Sequence, residues 1–136
     1  MRCEDRLCDS VHEEIWLYRG VPAESAEVDD VAANAEVYPR RPGYVGEYSR
    51  YCHSVNEMTD TGYTSWTTDV DIARALAQYA SDESGLSGEV VIFKVRISTI
   101  DARRIFEGED REDEYLIEGT VEDVRFFEDA DHEHDG

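Results

Sequence analysis

The chain has 136 residues, 40% of them hydrophobic and 10% aromatic, which suits one folded domain with a core of its own. Asp and Glu number 33 against 13 Lys and Arg, a net charge of −20, and this argues against a nucleic-acid partner or an anionic lipid surface. No apolar run approaches the roughly 20 residues of a membrane helix, and Met1–Asp9 has no apolar h-region, so the expected setting is cytoplasmic, with delivery into a target cell left open.

In chain order, residues 1–13 read as an N-terminal extension, 14–128 as the folded domain and 129–136 as an acidic disordered tail. Ile15–Gly20 is a short apolar strand, ended by Gly20 and Pro22. Residues 24–37 carry a weak helical stripe, and Pro39, Pro42, Gly43 and Gly46 mark a loop. Residues 47–58 suit a helix with Tyr48, Tyr51, Cys52 and Val55 on one face. A turn at Asp60–Gly62 leads to a strand at Tyr63–Thr67. Asp69 then suits an N-cap for a helix with Ile72, Ala73, Leu76, Ala77 and Ala80 as its stripe. Val90–Ile97 alternates as a strand should; Arg103–Phe106, Tyr115–Ile117 and Val121–Phe127 are further strands. Helices gather early and strands late, which predicts an α+β fold.

Cys3, Cys8 and Cys52 make an odd count and read as free thiols; with His12 they match no zinc spacing, so no metal is expected. The acid excess, with Lys94 the only lysine, has two physical readings. One is a surface kept hydrated in concentrated salt, where screening removes self-repulsion. The other is a non-enzymatic inhibitor that mimics the phosphate array of DNA.

Three segments carry chemistry. Leu17-Tyr18-Arg19-Gly20 places an arginine at the end of the first strand, and Thr64-Ser65-Trp66-Thr67-Thr68-Asp69 places hydroxyls on a strand before a helix. Glu112-Asp113-Glu114-Tyr115-Leu116-Ile117 places two carboxylates on one side of a late strand. A chain with 18 glutamates yields about two Glu-x-Glu by composition alone. The other, Glu107-Gly108-Glu109, sits in a loop and reads as a decoy.

Arg, then Ser-x-Thr, then Glu-x-Glu, in that order, resembles the ADP-ribosyltransferase superfamily, in its toxin-like Arg–Ser–Glu branch. The resemblance runs over residues 14 to 127; the other branch has a first-strand His where this chain has Arg19. It implies a split β-sandwich with flanking helices, NAD as substrate and no metal. The implied activity is transfer of ADP-ribose to an arginine on a target protein, in a toxin, a phage or viral effector, or a toxin paired with an immunity or antitoxin protein. By resemblance Glu114 stabilises the charge developing on ribose, Ser65 orients Glu114, and Glu112 orients or deprotonates the acceptor. Arg19, flanked by Tyr18 and Gly20, faces the NAD phosphates, and Trp66 and Thr67 shape the nicotinamide end. Trp16 and Tyr63 could stack on a base, but strand packing is the simpler reading. An NAD glycohydrolase would use the same site with water as acceptor.

Overall fold

The computed structural model describes residues 15–55, 60–108 and 114–128. The expected N-terminal extension, acidic tail and Glu112 lie outside the described residues. The six strands are β1 (Trp16–Pro22), β2 (Tyr63–Thr67), β3 (Val90–Arg96), β4 (Ile105–Glu107), β5 (Glu114–Glu118) and β6 (Arg125–Phe127). Among the described residues three α-helices join them: α1 (Ala26–Asn34), α2 (Glu47–Val55) and α3 (Val70–Glu83). The fold is α+β, as the clustering of helices and strands predicts. None of the described helices is long and apolar enough to cross a membrane.

The strands form one sheet in the order β4-β5-β2-β1-β3-β6, and every pairing is antiparallel. The sheet has a seam. β1 and β3 pair over all seven residues from Trp16↔Arg96 to Pro22↔Val90, and β2 and β5 pair over Tyr63↔Glu118 to Thr67↔Glu114. Between β1 and β2 the register holds one pair, Tyr18↔Thr67.

Beneath the sheet lies an apolar core that joins Leu17, Val21, Phe93 and Val95 to Trp66, Ile117, Val31, Val37 and Val121. Helix α1 starts where Ser25 Oγ accepts from Glu27 N–H, and it ends at Ala35, whose left-handed φ of 59° turns its N–H back to Val31 O. Asp69 caps α3 by accepting from Asp71 N–H and Ile72 N–H.

Four local expectations are corrected. β1 runs through Gly20 to Pro22 rather than stopping there. Gly20 serves a close approach: a Cβ at this position would collide with Ala73 O and lie 2.9 Å from Ala77 Cβ. The same approach moves the buried stripe of α3 to Ala73, Ala77 and Ser81 and leaves Leu76 39% exposed. Among the described side chains of α2 the buried ones are Ser49, Cys52 and His53, while Tyr48 is 70% exposed. A polar face goes inward there because its hydrogen bonds are made: Ser49 Oγ to Gly46 O at 2.8 Å, and both ring nitrogens of His53. Finally, Val121–Phe127 is not one strand. Val121 forms an isolated bridge with Val37, Asp123 takes a φ of 62°, and pairing resumes at Arg125.

Candidate functional site

Ser65 and Glu114 come from adjacent strands. Because Thr67 pairs with Glu114 and Ser65 with Leu116, Ser65 and Glu114 are diagonal neighbours on one face of the ladder. Ser65 Oγ donates to Glu114 Oε2 at 2.9 Å, and Glu114 is only 6% exposed. A carboxylate this buried needs room as well as partners. Gly108 supplies the room: its N–H donates to Glu114 O at 2.8 Å, and a Cβ there would strike Glu114 Oε1.

Arg19 reaches the same place across the seam. Ser65 has no register partner on β1, and its carbonyl accepts from Arg19 Nη1 at 3.1 Å. Arg19 Nε and Nη2 donate to Glu27 Oε1 and Oε2, both at 2.8 Å, a two-point clamp from the first turn of α1. Burial pushes the Glu27 carboxyl up, but the Arg19 hydrogen bonds and charge, with Arg40 behind them, outweigh it and hold its pKa below the usual carboxylate value. A guanidinium has five N–H groups, and these bonds use three, so Arg19 keeps two for a ligand.

The sequence did not single out His53. It sits on α2 with Nδ1 2.7 Å from Thr61 Oγ1 and Nε2 3.0 Å from Ser65 Oγ. Burial, then the charges of Arg19 and Arg40, lower its pKa from 6.5 to about 4, so the ring is neutral at pH 7. The hydrogen bonds then have one consistent direction. Ser65 gives its one proton to Glu114, so it accepts from His53 Nε2–H; Nδ1 is left as an acceptor for the Thr61 hydroxyl, whose oxygen takes Tyr63 N–H at 3.1 Å. The chain Thr61→His53→Ser65→Glu114 fixes the carboxylate from behind. The one signal in the sequence was a histidine three and four residues from Arg50 and Ser49 on a short helix, too common a pattern to stand out.

The structure brings Arg19, Ser65 and Glu114 together. It does not bring the other candidates to that place: Trp66, Thr67, Gly20 and Tyr18 serve packing and turns instead. Trp66 is 1% exposed in the core, its indole N–H donating to Thr64 Oγ1 at 2.8 Å. Thr67 is buried and accepts from Asp69 N–H, which shapes the turn into α3. Gly20 lies under α3. Tyr18 packs edge-on to Phe127, with burial raising its pKa, and Tyr63 is buried with its hydroxyl accepting from Gly46 N–H at 2.8 Å and Arg50 Nη1 at 2.9 Å. Comparison with family models, with curated proteins and with solved structures found no match.

Proposed function

We propose that this chain is a mono-ADP-ribosyltransferase of the Arg–Ser–Glu type, which transfers ADP-ribose from NAD to an arginine of a target protein. The observation that carries the reading is the convergence of Arg19, Ser65 and Glu114 from three strands, with Ser65 touching both of the others. The sheet is continuous, and the one-pair seam between β1 and β2 is the place where the split sheet of that superfamily would divide.

The chemistry follows from the donor set. The bond between nicotinamide and ribose breaks, nicotinamide leaves, and positive charge builds on the ribose as in glycoside hydrolysis. Glu114, held by Ser65 and hence by His53 and Thr61, offers carboxylate oxygens to that charge without rearranging. The two uncommitted N–H groups of Arg19 suit a phosphate oxygen, and Glu27 keeps the guanidinium in place. The new bond forms from ribose to a guanidinium nitrogen of the acceptor, whose proton leaves to a base; Glu112 is assigned that task.

The test follows nicotinamide release and label incorporation together. Glu114→Gln is expected to lose both, by about 10²–10³ in rate. Glu112→Gln is expected to lose arginine labelling by about 10²–10⁴ and to keep slow nicotinamide release. Release from the wild type without labelled protein would make the chain an NAD glycohydrolase. No release from any variant or the wild type would end the enzymatic reading in favour of the acidic mimic.

A further inference from the structure

We infer a second, separate site: an anion pocket over Trp16 whose ligand is an organic phosphate. It stands independently of the transferase reading. Trp16 opens β1 and pairs with Arg96 at the end of β3, so both project to one face of the sheet. Lys94 and its β6 partner Arg125 share that face. Arg19, three residues from Trp16, projects to the opposite face.

Three cationic groups stand over one indole: Lys94 Nζ is 4.6 Å from the ring centroid, Arg96 Cζ 5.0 Å and Arg125 Cζ 5.9 Å. A chain of net charge −20 thus gathers three of its 13 cations around one ring. The indole face attracts each of them but cannot cancel the repulsion between the Arg96 and Arg125 guanidinium groups. Two other arginines are neutralised locally, Arg19 by Glu27 and Arg103 by Asp101. Among the described residues neither Arg96 nor Arg125 has a salt bridge, and both are exposed.

Beside them lies a cavity of about 380 Å³ lined by Trp16, Arg96, Arg125, Thr99 and Asp123, among others. That lies within the roughly 300–1,000 Å³ usual for small-molecule sites. Among the described residues Asp123 is the one acid in the lining, and it bridges to neither arginine. Two guanidinium forks with no carboxylate partner match a dianion better than a monoanion, which selects phosphate over carboxylate. The cavity exceeds one phosphate, and Trp16 offers its remaining wall to a ring or chain carried on the phosphate.

The test titrates the full chain with AMP, and with adenosine as the phosphate-free control, by calorimetry and indole emission. Both indoles emit, but Trp66 is buried away from the ligand, so a ligand-induced change in emission reports Trp16. AMP is expected to bind saturably and adenosine not to bind. Affinity should fall in molar salt, where the Debye length is about 3 Å. Arg96→Gln and Arg125→Gln should each weaken AMP by about tenfold or more, and the pair should abolish the emission change. Equal binding of AMP and adenosine overturns the site on the unaltered protein, as does the absence of a saturable response. Wild-type affinity in the folded double variant overturns it as well.

Discussion

On the β1–β3 side of the seam, the buried core residues are Leu17, Val21, Phe93 and Val95, all apolar, and the one charge on that face of β1, Arg19, is clamped by Glu27. On the β2–β5 side the buried set takes in Thr61, Thr64, Thr67, His53 and Glu114 alongside Tyr63, Leu116 and Ile117. Both halves use the same antiparallel pairing, so the contrast comes from side chains. Apolar burial stabilises without needing geometry, whereas each polar group must find a partner or lose its hydration. Among the described residues no buried side-chain nitrogen or oxygen lacks one. The first half therefore acts as a scaffold, and the second holds a carboxylate in a fixed pose on it.

The sharpest way to break this contrast is Phe93→Ala, which removes a fully buried ring from the scaffold half. It is expected to lose about 3–5 kcal/mol in urea unfolding. A loss below about 1 kcal/mol would mean the apolar half is not the scaffold.

Next comes His53, which probes the polar half. Its pKa is about 4 in the fold against 6.5 for the free group. Between those values the unfolded chain binds a proton that the native chain does not, so stability falls as pH drops through this window and is level above it. The full effect approaches about 3 kcal/mol by the end of the window. His53→Gln removes the titration, so the stability advantage of the wild type over this variant should shrink between pH 6.5 and pH 4. A difference that does not vary with pH would show that the ring is not held neutral. Comparing the pair cancels the titration of the many surface acids.

Gly108→Ala is a smaller probe of the same half. The added methyl meets the Glu114 carboxylate, so stability should drop by about 1–3 kcal/mol and nicotinamide release should fall with it. Full activity at wild-type stability would show that Glu114 has slack. The smallest effect belongs to the surface common to both halves. With a net charge of −20, the melting temperature should rise by a few degrees from low to molar salt, as the Debye length shrinks to about 3 Å. A flat or falling melting temperature would remove salt adaptation as the reason for the acid excess.

The strands at Tyr63–Thr67 and Val90–Arg96 and the N-cap at Asp69 were legible in the sequence, because alternation and capping are local physics. The juxtaposition of Ser65 with Glu114 needed a register that no local pattern supplies. His53 and Glu27 were not legible at all. A helix that buries Ser49 and His53 contradicts its own apolar periodicity, and only the partners Thr61 and Ser65, brought in by another segment, make that face acceptable inside. Likewise Glu107-Gly108-Glu109 was read for its carboxylates, while the part that matters to Glu114 is the missing side chain between them.

The single pair Tyr18↔Thr67 also sets where the molecule opens. Backbone amides exchange with solvent through local openings whose cost follows the bonds that must break. An opening along the seam breaks one ladder pair and the Arg19–Ser65 bond, whereas separating β1 from β3 breaks a ladder of seven. In ladder bonds the seam is thus the cheaper place to open, and deuterium should enter at Tyr18 and Thr67 before it enters the centre of β3. Since Ser65 lies on that line and donates to Glu114, an opening of the sheet there should also loosen the hold on the carboxylate.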